Sequence, residues 1–417
     1  MISQDVSASL AALLAEIQAS DEIVVDLQTK LTRTQALPPE HGGQGETVKA
    51  AFIESYLNDL SLSDILHVDA KDSRVASGLR PNLICRIPGK SRRTVWIFSH
   101  MDVVAPGDRE AWASDPWEVV RKNDLLYGRG VEDNQQAIVS TLLLARALQT
   151  LRITPSHTLG MVFMADEENG STYGLAHLLR EVPHLFARDD LFLVPDFGSP
   201  TAQLIEVAEK ASLWLKITCI GRQCHASTPD KGINAFVAAA DMVTALNHNL
   251  PARFSLINPL FQPATSTFVP SRHDANVQGI NILPGRDVFY LDCRLLPKVS
   301  EEEVLAAVTE IVTEKARSHK SEAKVEVVQA QHASSVDAEH PDIALLADAV
   351  ERVYGQRPKP AGIGGGTVAA LLRAQGLPAL VFSCIDNSCH APNEHSSITA
   401  TKNDSCVFAH LLFNAFN

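Results

Sequence analysis

No apolar run in the 417-residue sequence approaches the roughly 20 residues that a bilayer-spanning helix needs. No Lys/Arg-rich block occurs either, and the formal net charge is −13. That balance argues against a nucleic-acid or anionic-membrane partner and leaves small molecules as the better ligand class. The seven cysteines are odd in number, scattered, and without a C-x-x-C pair. They suit reduced thiols, not a disulfide frame or a cysteine-held structural zinc. The N-terminus, "MISQDVSASLAALLAEIQASDEIV", lacks a basic start and carries acidic residues inside its apolar periodicity. It reads as an amphipathic helix instead of a signal peptide, and the protein as cytoplasmic. Internal repeats and low-complexity tracts are absent too.

What remains is an ordinary globular composition, 45% hydrophobic and 20% charged, in a chain long enough for more than one domain. In the first half, strand-like and helix-like segments alternate: "TVWIFSH", "NQQAIVSTLLLARALQTL", "HTLGMVFMAD", "STYGLAHLLREV" and "LFLVPDFG". This order predicts an α/β fold with a mostly parallel sheet flanked by helices. From about residue 209 the texture changes to "SLWLKITCIG", "GINAFVAAADMVTALNHNL", "NILPGRDVFYLDCRLLP", a helix opened by a Ser300/Glu303 capping box, and "AKVEVVQA". The pattern resembles a split β-α-β-β-α-β sandwich. The expected organisation is a first domain at 1–208, an inserted α+β domain at 209–328, and a return to the first domain at 329–417.

One stretch poses a chemical problem. "MADEENGS" sets Asp166, Glu167 and Glu168 side by side where a buried strand leaves the core. Like charges so placed repel and raise one another's pKa, so a positive charge must compensate them, and a metal cation is the leading candidate. The other strand ends supply matching types: His100 and Asp102 in "SHMDVV", Asp133 in "YGRGVEDNQQ", Asp196 in "VPDFG", and His390 in "CHAPNEHSS". Singly, each has an ordinary explanation: Asp133 as a helix N-cap, Asp196 as a turn former, a histidine as a backbone partner. Jointly they place metal-ligand types where a parallel sheet opens its binding crevice. Cys389 beside His390 is a poor nucleophile pair, because adjacent residues on an extended segment point apart.

These motifs, in this order, resemble the co-catalytic zinc amidohydrolases, a family that includes glutamate carboxypeptidase, acetylornithine deacetylase, succinyl-diaminopimelate desuccinylase and the cytosolic aminoacylases. The resemblance runs over nearly the whole chain. It implies two divalent ions, zinc with cobalt or manganese as alternatives, and a zinc-peptidase-like fold with an inserted lid and dimerisation domain. His100 and Asp196 would bind one ion, Glu168 and His390 the other, and Asp133 would bridge them. Asp102 would orient the His100 imidazole, and Glu167 would act as general base. Asp166 is left without a role beyond that of a strand-end acceptor.

In the inserted segment, "GRQCHASTPDKGINAF" resembles the lid motif, with His225 donating to the tetrahedral oxyanion, Asn281 near the same oxygen, and Arg294 aimed at a substrate carboxylate. In dimeric relatives the lid histidine reaches the neighbouring subunit's site, which implies a homodimer. "GIGGGT" lacks a preceding strand and a Lys-Ser/Thr ending, so it is no phosphate loop. The resemblance places its Gly365, Gly366 and Thr367 along the substrate pocket. Two departures stand out: "VEDNQQ" replaces an Asp-Met-Lys-Gly-Gly run, and His395 stands where an aromatic is frequent.

The expected function is hydrolysis of the amide bond of an N-acyl amino acid, in the manner of a desuccinylase or deacetylase. The alternative substrate is a short peptide, cleaved by a carboxypeptidase or dipeptidase with the same machinery. A catalytically silent binding protein on this scaffold is the reading from another class, and the occupied ligand and base positions weigh against it.

Overall fold

The computed structural model describes residues 4–414 and divides into two compact units. One comprises residues 1–207, 336–360 and 367–417; the other comprises 208–335 and 361–366.

The first unit is built on a mixed sheet. At its centre four strands run parallel, in the spatial order His157–Met164, Ser91–His100, Leu191–Gly198, Ala379–Ser383. Antiparallel neighbours, Leu83–Ile87 on one side and Leu204–Glu209 on the other, extend it. The alternation of strand and helix in the sequence predicts the parallel centre, while the antiparallel flanks come from segments whose connections skip a helix.

One face of this sheet is covered by the Gln135–Leu151 helix, against which Gln4–Gln18, Asp21–Arg33 and Ile398–Asn414 pack. Almost every side chain of Gln135–Leu151 from Gln135 to Leu148 is buried, as expected of a helix enclosed on all sides. The N-terminal amphipathic segment forms two helices with a break at Ser20, and its first three residues lie outside the described ones. The other face carries Trp96, Phe98, Val162 and Phe192, packed against Leu175, Leu178, Val368 and Leu372.

The second unit follows a β-α-β-β-α-β order: Ala211–Ile220, Ala235–Arg253, Thr267–His273, Arg286–Leu295, Glu301–Ser318, Glu322–Gln331. All its sheet pairings are antiparallel. Leu213, Leu215, Ile217 and Cys219 alternate onto one face of the sheet, where helical positions Ala238, Met242, Leu246, Val304, Val308 and Val312 meet them. Strand period two and helix period 3.6 thereby converge on one core. The Ser300 hydroxyl accepts the Glu303 amide at 3.2 Å, capping the second helix.

The ring of Trp96 lies across Gly160, its register partner on the adjacent strand. It is held by an Nε1–H donation to Asp190 Oδ2 at 2.9 Å and an edge contact with Phe186 at 5.1 Å. A Cβ at Gly160 would fall 2.1 Å from Trp96 Cε3. Gly160→Ala is therefore expected to cost about 1–3 kcal/mol by overpacking, read as a lowered urea midpoint with unchanged slope. An unchanged midpoint would show that the ring has room to move.

Candidate metal centre

The four parallel strands release their chains at one edge of the first unit. Ser91–His100 ends in His100, with Asp102 two residues on; His157–Met164 leads into the Glu167–Asn169 turn; Leu191–Gly198 carries Asp196; and the loop after Ala379–Ser383 carries His390. Asp133 sits just before the Gln135–Leu151 helix, in a turn that closes on the same edge. Such an edge is where open α/β sheets gather ligands.

Two groups of three ligand types result, His100 with Asp133 and Asp196, and Asp133 with Glu168 and His390. Within each group the donor atoms lie within 4.8 Å of one another. His100 Nε2 is 2.9 Å from Asp133 Oδ1 and 3.4 Å from Asp196 Oδ1. His390 Nε2 is 3.1 Å from Asp133 Oδ2 and 3.1 Å from Glu168 Oε2. Asp133 thus turns one oxygen to each histidine.

The supporting bonds fix which atoms are free. His100 Nδ1 donates to the main-chain carbonyl of Asp102 at 3.1 Å, which leaves Nε2 for the site. The Asp102 carboxylate lies 3.5 Å from the same ring and accepts the amides of Glu167 and Glu168, both at 3.0 Å. It holds the acidic turn as well as the histidine. Asn134 donates to Asp196 Oδ1 at 2.7 Å and to the Pro195 carbonyl at 2.9 Å, aiming Asp196 inward.

The acidic triplet of the sequence resolves into three environments. Asp166 accepts the Tyr173 amide at 3.0 Å and lies 3.4 Å from the buried guanidinium of Arg80, which Glu46 also grips. Arg80, 86 positions earlier in the chain, is the positive charge that compensates it. Glu168 faces His390. The Glu167 carboxylate makes no hydrogen bond among the described residues, and its pKa is raised well above the ordinary value by burial and then by Asp196.

Electrostatically the site is short of positive charge. Burial and then Asp133 push Glu168 up to about 7. Hydrogen bonds to Asp133 and Glu168 push His390 up to about 10. Burial works against a charged His100, yet Asp102, Asp133 and Asp196 hold its pKa well above the usual imidazole value. Asp133 is held well below the carboxylate range by the two histidines, against its burial. Oxygen and imidazole donors facing one another at these distances, with no lysine or arginine between them among the described residues, fit divalent ions.

In the second unit, Cys224–His225 pairs antiparallel with Ile282–Leu283, and the Ala226 amide donates to the Asn281 carbonyl, so His225 and Asn281 are neighbours. The Ser227 amide donates to His225 Nδ1 at 3.1 Å, which leaves the hydrogen of a neutral ring on Nε2. Arg294 is engaged by Asp292, at 2.7 Å and 3.1 Å, and donates to the Gly364 carbonyl at 3.2 Å. Gly365 has open space around it, whereas Gly366 lies against Gln331. Thr367, in the first unit, is buried and accepts the Ala369 amide.

The departures noted in the sequence fall in the core and on the loop. Gln136 is buried and donates to the Cys384 carbonyl at 2.8 Å and to Asp404 at 3.1 Å. His395 packs against the Tyr127 ring at 5.2 Å and pairs with Asp386 at 3.2 Å. Cys389 is pushed up to about 12, by burial and then by Asp133, which leaves it a thiol. Sequence reasoning missed Asn134, Arg80 and the buried Lys49, whose ammonium burial lowers to about 8 while Asp102 and Glu46 hold it up.

The profile of Peptidase family M20/M25/M40 matches residues 96–414. The chain belongs to this family. An uncharacterized metallohydrolase of Methanocaldococcus jannaschii is 36% identical to it, over 94% of this chain and 99% of that protein. A succinyl-diaminopimelate desuccinylase of Sulfurimonas denitrificans is 25% identical, over 93% and 98%. The structure of the di-peptidase Dug1p of Saccharomyces cerevisiae superposes with a TM-score of 0.75 at 15% identity, covering 97% of this chain and 98% of that one, and so shares the fold. The M20 chain is a metal-dependent hydrolase of amide or peptide bonds. No helix among the described residues is long and apolar enough to cross a membrane.

The facing carboxylates raise the pKa of both His100 and His390 above the usual imidazole value. A folded-state pKa raised above its unfolded value contributes stability that is complete below the unfolded value, about 6.5 for histidine, and is lost as pH rises through the folded one. Glu167 and Glu168, also raised, act in the same direction. A bound cation replaces those protons. The difference in Tm between metal-loaded and chelated protein should therefore widen as pH rises from about 6.5 towards the His390 value of about 10. A difference that is flat or narrows over this window would mean that the histidines are not the competing groups.

Proposed function

We propose that this M20 chain is a dinuclear-metal hydrolase that removes the acyl group from an N-acyl amino acid. The observation that carries the reading is Asp133, whose two carboxylate oxygens face two separate histidine-carboxylate groups, with the unbonded carboxylate of Glu167 within electrostatic reach of Asp196 and Asp133. His100, Asp133 and Asp196 would hold one divalent ion, and Asp133, Glu168 and His390 a second, zinc first and cobalt or manganese as alternatives. Bound there, such ions supply Lewis acidity that polarises the scissile carbonyl and acidifies the attacking water.

The chain's own residues do the rest. Glu167 takes the water's proton and returns it to the departing amine. Asp102 fixes the Glu167 backbone and the His100 ring together. His225, with its hydrogen on Nε2, is prepared to donate to the oxyanion, and Asn281 beside it to the same atom. Arg294 recognises the substrate carboxylate by sharing its guanidinium with Asp292, and Gly365, Gly366 and Thr367 present backbone to it. The relatedness to desuccinylases over nearly the whole chain supports a deacylase. A dipeptide or a C-terminal residue is the alternative substrate, and it uses the same atoms. The protein acts in the cytoplasm as a homodimer in which His225 serves the active site of a second copy.

A panel of N-succinyl-diaminopimelate, N-acetylornithine, other N-acetyl amino acids and dipeptides, assayed with zinc, cobalt or manganese, tests the substrate class; activity on dipeptides alone would overturn the deacylase reading. Glu167→Gln should lower kcat by about 10²–10⁴-fold while both ions stay bound. Rapid turnover, or loss of both ions, would remove Glu167 from its role. Mixing inactive His225→Ala and Glu167→Gln proteins should, after subunit exchange, restore roughly a quarter of wild-type activity, because half the dimers are mixed and each has one intact site. Exchange proven by mass with no recovery would place His225 in its own chain's site or outside catalysis.

A further inference from the structure

Glu394 lies four residues beyond His390 and is fully buried. Its carboxylate reaches across to the turn that carries Asp133. One oxygen accepts Arg129 Nη1 at 2.6 Å and the Gly130 amide at 2.9 Å; the other accepts the amides of Glu132 at 2.9 Å and of Asp133 at 3.1 Å. Glu132, the residue before Asp133, makes the return connection. Its carboxylate, also buried, accepts the Asp386 amide at 2.7 Å, the Ser388 amide at 2.5 Å and the Ser388 hydroxyl at 2.9 Å, all on the loop that carries His390. Between Ser383 and His395 this loop forms no helix or strand, so it has no ladder of its own to fix His390.

We propose that Glu132 and Glu394 are a reciprocal pair of positioning residues that ties the two halves of the metal centre into one unit. Each sits on the loop bearing one ligand and holds the backbone of the loop bearing the other. The inference rests on the dinuclear reading given above. Asp133 faces both histidines, so a displacement of its turn alters the donor spacing of both groups at once, and the two carboxylates make the His390 loop and that turn move together. Four converging donors on Glu394 require an ionised carboxylate. A glutamine would turn an NH₂ group against N–H donors and lose half of the grip while changing the volume hardly at all. Neither residue is placed to touch an ion, so their effect passes through Asp133 and His390.

The test is stepwise binding of cobalt(II), followed by chelator competition and by the visible absorption of the bound ion. Wild type should take up two ions. Glu394→Gln and Glu132→Gln should each weaken both ions by about 10–100-fold, the size expected for lost outer hydrogen bonds at a metal site, and should alter the cobalt spectrum. The losses in the double variant should not multiply, because both residues hold the same two loops against each other. Ser388→Ala, which removes one donor to Glu132, is a milder change that carries the test if the glutamine variants do not fold. It should weaken both ions in the same direction by a smaller factor. Asp190→Asn, which disturbs a buried carboxylate beneath Trp96, should lower Tm while leaving both affinities and the spectrum intact.

Weakening of one ion only, losses that multiply in the double variant, or a lowered Tm with unchanged binding would each overturn the reciprocal pair. A wild type that takes up fewer than two ions would instead overturn the dinuclear reading, and the pair with it.

Discussion

Asp133 offers one carboxylate to two histidines, 2.9 Å and 3.1 Å away, and much of the surrounding structure answers the demands this makes. Both of its oxygens must be held in direction, so its turn is fixed from outside by buried acceptors and from behind by Asn134. Its charge and those of Asp196, Glu167 and Glu168 must be offset, and protonated histidines do so only partly. A cation is the remaining means, and the metallohydrolase chemistry of the M20 family follows from meeting that electrostatic need.

The sheet makes the convergence possible. Four parallel strands deliver their C-terminal ends to one edge, so residues as distant in sequence as His100 and His390 arrive together while the strands themselves remain buried and rigid. The ligands stand on turns, but the turns are pinned to strand ends by hydrogen bonds of Asp102 and Asn134. The centre combines the reach of loops with the rigidity of the core.

The strand ends were legible in the sequence because a buried parallel strand is a continuous apolar run, and the first polar residue after it stands out. His100, the Asp166 to Glu168 run and Asp196 announce themselves in this way. The contribution of Asp102 was legible only in part, since its main-chain carbonyl, invisible to any motif, takes the His100 Nδ1–H. Arg80 could not be paired with Asp166 from spacing, because the two meet through neighbouring strands. The Asp292 partner of Arg294 could have been found, since residues i and i+2 of a strand share a face. Gln136, in the "VEDNQQ" departure, is a core residue, because the helix that begins beside Asp133 is enclosed on all sides.

On its longer excursion the chain leaves the first unit and returns to it on adjacent rungs of one ladder: Val207 accepts the Val336 amide at 2.8 Å, and Ala208 and Glu209 pair next with Ser335 and Ser334. Some 130 residues are thus suspended from a stem whose two strands are in register. Closing a flexible loop of that length would cost only about 2–3 kcal/mol more than a short turn, and an insert that folds with its own ends paired removes most of that difference. The sheet that bears the ligands is therefore indifferent to the length of what hangs from the stem.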